Sequence, residues 1–493
     1  MTKRVLGIDI GTTAIKVIVL DAISASRMEI VKTVSLGHDL ISSFPGWAEE
    51  NVGVWRANLY SILSSLSSEV DLSSLVAIGL TGMTPALVCL DSELNPIRNS
   101  IQQNDMRTSS EVDYLKNLLE KDGSYFAKTG SHVNSQHILP RLLWLRAHES
   151  ENYRKIKHII GSYDYGAFLL TGNLHIESNW ALESGLFSLS GEFLDDVFAL
   201  SRLDKSVLPP IALPNQVVGY VTDEASKKTG IPSGVPVYAG TADHVASAYC
   251  TGARGNGDLV LKLGGAGDIL LSLDHLVLDD SLFIDYYCSK KCSYVLNGCT
   301  AASGSLIKWF RNEFGGDFKE LDKEAESIPA GSDGIVILPY VLGEKTPIFD
   351  PDARGVIYGL LLSHTKAHIY RAMLESVAYA FRHHVDIFKK HNIEIRNVYI
   401  TNGGSTSPLW RQIMADVLGC QVNYIRTNPG SCLGAAFIAG IANGVWTEDV
   451  ISDFTKQREI SYPDVANKES YDNAYYIYRQ LYPRLFDLFH KNM

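Results

Sequence analysis

Asp9 stands just before Gly11-Thr12-Thr13, in the stretch VLGIDIGTTAIKVIVL. Residues 5–10 and 14–20 are β-rich runs, and a glycine-threonine turn between two such runs reads as a hairpin. The turn aims backbone N–H groups and two hydroxyls into one small space, which suits phosphate oxygens. A carboxylate at Asp9 could hold a hydrated Mg²⁺ against them. A hairpin glycine with no ligand gives the same pattern, so these residues alone leave both readings open. Asp243 is the second candidate, in VYAGTADHVASAYC, where a strand ends in Gly-Thr and a small-residue helix begins. A carboxylate there is commonly a helix cap. Its place just ahead of the next glycine hairpin also suits a base that takes a proton from a substrate hydroxyl. His244 reads as a capping or exposed histidine. The third set is Asn104, Asp105 and Arg107, in IQQNDMRTS, a dense group of donors and acceptors for a polyhydroxylated ligand or for a solvated turn.

The elements that must position these residues follow from pattern. Asp258 to Asp274, DLVLKLGGAGDILLSLD, repeats the strand–glycine turn–strand arrangement, so two similarly built domains are expected, residues 1–250 and 251–493. Residues 76–80 read as a buried strand, residues 86–90 as a strand after the loop TGMTP, and residues 137–148 as a helix. From Ser363 onward, Ile369, Met373, Val377, Phe381, Val385 and Phe388 form one apolar helix face. The histidines His364, His368, His383 and His384 are expected on its polar flank. Residues 398–401 read as a strand, Asn402-Gly403-Gly404-Ser405 as a loop, and Ser407-Pro408 as the cap and first position of a helix ending near Gly419. A strand, a glycine loop and a helix start make a natural anion or nucleotide site, or simply a tight connection. The small residues of Gly430 to Ala436 would let a helix pack close to a neighbour or to a flat base. Residues 339–360 read as an ordered loop with Arg354 and Glu344 paired.

A chain of 493 residues with 46% hydrophobic and 20% charged residues belongs with globular proteins of more than one domain. A net charge of −11 argues against nucleic acid and anionic membranes as partners. Lys3 and Arg4 precede an apolar run broken by Asp9 and Gly11, which is not a signal peptide, and no stretch offers a membrane span. A cytoplasmic location is expected. The seven scattered cysteines do not make a disulfide framework. Cys288, Cys292 and Cys299 share a strand-like stretch without zinc spacing and read as reduced thiols.

Taken in order, GIDIGTT, PGWAEEN, GLTGMTPALVCLD, QNDMRT, AGTADHVASAYCTG, LGGAGD, PYVLGEKTPIFDPDARG and GGSTSPLWRQIMADVLG resemble the motifs of the FGGY carbohydrate kinases, nearest their xylulokinase-like branch. The resemblance spans nearly the whole chain. It implies an α/β fold of two ribonuclease-H-like domains of the actin and sugar-kinase superfamily, around an interdomain cleft that closes over ATP and a sugar. It further implies that Gly11, Thr12 and Thr13 face the phosphates and Asp9 the Mg²⁺. Gly265 and Gly267 would form the second phosphate turn, and Gly304 and Lys308 lie at a nucleotide-side position. Gly403, Gly404 and Ser405 match the adenosine loop. Asp243 falls on the catalytic aspartate, and Met83, Thr84, Asn104, Asp105 and Asp243 on the sugar side. Leu263 and Ala266 replace threonines common in the second turn, and Gln103 and Met106 replace a Trp and a Gly of the sugar segment. Met83-Thr84-Pro85 stands where xylulokinases tend to carry Gln-Met-His. Glycerol kinases carry an Arg-Glu pair at Thr84 and Pro85, so glycerol is disfavoured. A small sugar, a ketopentose such as D-xylulose before ribulose, erythrulose or gluconate, is the expected substrate, and the oligomeric state stays open, a homodimer among the assemblies allowed. An actin-like or chaperone-like ATPase would share the hairpins without needing Asp243 or the QND segment.

Overall fold

Residues 4–10 and 14–24 pair as an antiparallel hairpin, Asp9 opposite Lys16 and Ile10 opposite Ile15. In the computed structural model, which describes residues 2–426 and 428–491, this hairpin is β1 (Arg4–Ile10) and β2 (Ala14–Ser24). β3 (Arg27–Gly37) adds antiparallel to β2. On the other side of β1 lie β4 (Leu75–Gly82) and then β6 (Pro236–Ala242), both parallel, with β5 (Val217–Tyr220) antiparallel at the edge. The second sheet repeats this plan. β7 (Leu259–Leu263) and β8 (Gly267–Leu273) form its hairpin, and β9 (Tyr294–Thr300) adds antiparallel to β8. β10 (Val398–Thr401) and β11 (Val422–Tyr424) follow in parallel on the far side of β7, and β12 (Glu459–Ser461) closes the edge antiparallel. The six strands named in each sheet follow the same order and directions, so the two glycine hairpins open two equivalent frameworks; the second sheet has a seventh strand, Phe283–Tyr286.

Two compact units result. The first comprises residues 1–252, 285–288 and 429–456, and the second comprises residues 253–284, 289–428 and 457–493. The segment 429–456 contains α5 (Ser431–Ala442), which packs on β1 and β4 of the first unit. Alternation explains the fit. Leu6, Ile8 and Ile10 point to one face, into a core with Trp55, Leu59 and Leu63 from the helix at Val52–Glu69. Gly7 and Gly79 lie under α5. A Cβ on Gly7 would sit 2.0 Å from the Cys432 carbonyl oxygen, and one on Gly79 would sit 2.1 Å from that of Ala435. The small residues of α5 therefore serve close helix–sheet packing.

Several local expectations are met. The remaining helices named below are α1 (Asp243–Cys250), α2 (Gly304–Phe314), α3 (Lys366–Lys390) and α4 (Pro408–Leu418). The Ser407 hydroxyl accepts from the Trp410 N–H at 3.0 Å, Pro408 opens α4, and Gly419 ends it in the left-handed conformation. Residues 138–148 are helical with His137 at the cap.

Three expectations are corrected. His384 lies on the buried side of α3, where its ring meets the Thr346 hydroxyl at 2.9 Å and the Ala380 carbonyl at 2.8 Å. The helix is covered on more than its apolar stripe, so polar residues beside the stripe are enclosed too. Arg354 does not pair with Glu344. Arg354 reaches Asp352 and the carbonyls of Pro351 and Ala353, while Glu344 is buried and accepts from Thr300, Ala301 and Lys345. Of the clustered cysteines only Cys299 lies in a strand; Cys288 and Cys292 sit in the connection before it. All seven are free thiols.

Candidate active site

Strand register decides what meets at the end of the first sheet. Ile10 pairs with Gly82, and Gly82 with Ala242, so three neighbouring parallel strands stop level with one another. The residues that follow are Gly11 to Thr13, Met83-Thr84 and Asp243. Neighbouring strands lie about 4.8 Å apart, and ligands of open α/β sheets bind beyond such carboxyl ends. The Gly11–Thr13 turn, the Met83-Thr84 loop and Asp243, more than two hundred residues apart in sequence, thus lie at one sheet edge.

Asp9 is buried beside this edge, and both its carboxylate oxygens lie 3.7 Å from the point where a Gly11 side chain would begin. The Ser431 hydroxyl, in the first turn of α5, donates to Asp9 Oδ2 at 2.6 Å. Sequence reasoning read this segment for its small residues and missed Ser431, whose partner is 422 positions away. One hard oxygen ligand next to an open glycine turn fits Mg²⁺, which keeps several waters and takes few protein ligands. Thr12 is half-buried and Thr13 exposed at the turn, and the Gly11 carbonyl meets the His38 ring at 3.0 Å.

Asp243 is the first residue of α1, its side chain about one-third exposed. The strand end before it is pinned: Thr81 donates to the Thr241 carbonyl at 2.6 Å, and Asn179 to the Thr241 hydroxyl at 2.8 Å.

Met83 is packed in the core, its carbonyl accepting from Ser162. Thr84 is buried with its hydroxyl unbonded by protein, as are the Gln102 amide oxygen and one Arg141 guanidinium nitrogen. Arg141 donates through its other terminal nitrogen to the Pro85 carbonyl at 2.6 Å, which ties it to the Thr84 loop. Gln102 and Arg141 were not singled out from sequence. Gln102 stands in the same stretch two residues before Asn104, and a single arginine within the helix at 138–148 carries no local signal that it is buried. Asp105 is placed differently from the open donor-acceptor set pictured above. Its carboxylate is buried, taking the Ala48 N–H at 2.6 Å and the Arg107 guanidinium at 2.7 and 2.8 Å. Arg107 in turn lies over the Trp47 ring at 3.7 Å and pairs with Glu49 at 2.7 Å. Asp105 therefore builds the loop, and its neighbour Asn104 is exposed on it.

In the second unit Lys262 pairs with Thr401, which sets the turn Gly264 to Ala266 beside Asn402 to Ser405. The first residues of α2 bind the turn: Gly304 N–H donates to the Gly264 carbonyl at 2.8 Å, and Ser303 and Ser305 N–H to that of Gly265 at 2.8 and 3.1 Å. A Cβ on Gly304 would lie 2.6 Å from the Gly264 oxygen, which explains the glycine. Gly265 faces open space, whereas Gly267 is packed by Thr300, Phe381 and Ser303. Lys308 is exposed one turn into α2. Gly403 is open; Gly404 packs on Trp410 and Leu263; Ser405 is buried, its hydroxyl on the Asn402 carbonyl at 2.6 Å.

Residues 4–250 match the N-terminal domain of the FGGY family of carbohydrate kinases, and residues 280–443 match its C-terminal domain. The chain belongs to this family. It is a two-domain α/β sugar kinase, an enzyme that uses ATP on a small-molecule sugar. The xylulose kinase of Bacillus subtilis is 28% identical over 99% of this chain and 98% of its own. The crystal structure of xylulose kinase from Rhodospirillum rubrum superposes with a TM-score of 0.90 at 38% identity, covering 99% of this chain and all of that one. That of gluconate kinase from Lactobacillus acidophilus also gives 0.90, at 26% identity and 98% coverage of both chains. Among the described residues no helix is long and apolar enough to cross a membrane.

Proposed function

We propose that this kinase transfers the γ-phosphoryl group of ATP to a primary hydroxyl of a ketopentose, D-xylulose first, with Asp243 as the base. What carries the reading is the level ending of β1, β4 and β6, which sets Asp243 at the same sheet edge as the turn of Gly11 to Thr13, with the Thr84 loop between them. The likeness to xylulose kinases over nearly the full length supports the sugar. Asp243 accepts the hydroxyl proton as the oxygen attacks the γ-phosphorus in line. The N–H groups and hydroxyls of residues 11–13 and the N–H groups around Gly265 stabilise charge on the phosphates. Asp9 would hold Mg²⁺, which when bound would supply charge neutralisation on the phosphate oxygens. Positioning and electrostatics carry most of such a reaction. Gly304, Lys308, Gly403, Gly404 and Ser405, all in the second unit, serve the nucleotide side, and the sugar-side residues belong to the first unit.

Pro85 cannot donate as a histidine side chain does, while the unbonded atoms of Thr84, Gln102 and Arg141 invite a ligand hydroxyl. A buried group left unpaired costs about 1–3 kcal/mol, so a sugar that engages these atoms is favoured over glycerol, which offers fewer hydroxyls. The test is kcat/KM across D-xylulose, L-xylulose, D- and L-ribulose, erythrulose, gluconate and glycerol, read by coupled ADP release. D-Xylulose should lead. Gluconate or glycerol ahead by about tenfold, a difference of about 1.4 kcal/mol, would overturn the sugar and leave the kinase.

A further inference from the structure

Beside Asp243, three titratable side chains of the first unit converge. His244 Nε2 lies 3.1 Å from Asp285 Oδ2, and His244 Nδ1 lies 3.6 Å from Asp243 Oδ1. Glu183, at the end of the helix Ser178–Glu183, brings a carboxylate oxygen within 4.8 Å of the His244 and Asp285 ligand atoms. Asp285 is delivered from a distant part of the chain. Asn179 accepts from the Tyr286 N–H at 2.7 Å and donates to its carbonyl at 3.0 Å, which fixes the segment 285–288 against the first unit. The Asp285 side chain is almost wholly buried, and that of His244 is about one-sixth exposed. Such an arrangement is costly unless the carboxylate has a partner.

We propose that His244 is a positioning residue for phosphoryl transfer: an imidazolium braced by Asp285 that orients the Asp243 carboxylate and keeps it ionised to receive the hydroxyl proton. The proposal rests on Asp243 being the base. Burial opposes the charged ring, but Asp285, Asp243 and Glu183 outweigh it, and the pKa of His244 is raised well above its ordinary value. Glu183 is pushed up by burial and by Asp285, with Glu177 and Asp243 adding to the shift and His244 opposing it. Burial and the neighbouring carboxylates thus oppose the charged form of Glu183, which weakens its competition with Asp243 for the imidazolium. The groups facing His244 are thus Asp243 on its own helix, Asp285 from the docked segment and Glu183 from the helix end. A histidine that only tied down the 285–288 segment would need no second nitrogen turned to Asp243.

The experiment compares wild type with His244→Gln, which keeps a donor toward Asp285, His244→Asn, which keeps one toward Asp243, Asp285→Asn and Asp243→Asn. Removing a positive charge at this distance raises a carboxylate pKa by about one to two units. His244→Gln should therefore move the acid limb of kcat/KM up by about that much, and Asp285→Asn, which weakens the charge on His244 but also removes a nearby negative charge, by less. The kcat of both should fall by about 10–100-fold, as for a misplaced catalytic group, with the KM for ATP unchanged. His244→Asn should recover more kcat than His244→Gln but keep the displaced limb. In the wild-type enzyme, spectra of isotope-labelled histidine should show a protonated ring at about pH 8 that disappears in His244→Asn; this readout serves even if Asp285→Asn fails to fold. An unshifted acid limb in folded His244→Gln, or no such protonated ring, overturns the proposal. Near-normal turnover of Asp243→Asn would instead overturn the base assignment.

Discussion

At the residue scale, Asp243, the proposed base, and Glu344 are carboxylates in opposite environments. Asp243 keeps about a third of its side chain exposed at a strand end, where a substrate can reach it. Asp243→Asn preserves size and capping, so ATP should bind nearly as before while kcat falls by about 10²–10⁴, the worth of a positioned base. Isothermal binding of ATP together with steady-state turnover checks both halves. Glu344 is enclosed and accepts three hydrogen bonds, from Thr300, Ala301 and Lys345. Burial, only partly offset by these donors, raises its pKa to about 7. The folded state thus holds a proton that the unfolded chain releases near the ordinary Glu value, so this group's contribution is full at acid pH and is lost as pH rises toward 7. Glu344→Gln should gain on wild type across that window by about 1.4 kcal/mol per pH unit. Urea unfolding at about pH 5 and pH 7.5 measures the difference; a constant gap would contradict it.

At the element scale, the cap and the close packings are separable. Ser407→Ala removes the side-chain acceptor at the start of α4, at a cost of about 1 kcal/mol, seen as a lower urea midpoint with the substrate KM values held. Gly79→Ala is harsher. Its new methyl would meet the Ala435 carbonyl at 2.1 Å, and backbone cannot swing aside as a side chain can. Because α5 also brings Ser431 to Asp9, displacing it should damage the proposed Mg²⁺ site as well as stability. A Gly79→Ala enzyme with unchanged melting temperature and metal dependence would show that the helix does not hold the site.

At the scale of the whole molecule, the repeated sheet plan puts one glycine hairpin turn in each unit. A sugar kinase should hydrolyse ATP slowly without sugar, since water is not held for attack as a bound hydroxyl is. ADP release should rise by more than about tenfold with the best sugar. A rate indifferent to sugar would suit an actin-like ATPase instead.

The sequence by itself determined the features that are local. The hairpins, the Ser407-Pro408 start and Gly419 end of α4, and the strand at residues 398–401 are written in contiguous residues, because turns and caps depend on neighbours along the chain. The ordered motifs named the family for the same reason. Tertiary structure alone decided that residues 429–456 join the first unit, that Ser431 meets Asp9, and that Asp285 lies against His244. It also decided that Asp105 is spent on Arg107 and the Ala48 N–H, and that Gln102 and Arg141 carry unbonded buried atoms by the Thr84 loop. Periodicity tells which face of an element is covered, but not which distant segment covers it. Burial, which sets the cost of a charge and so its partner, is fixed only when those segments meet.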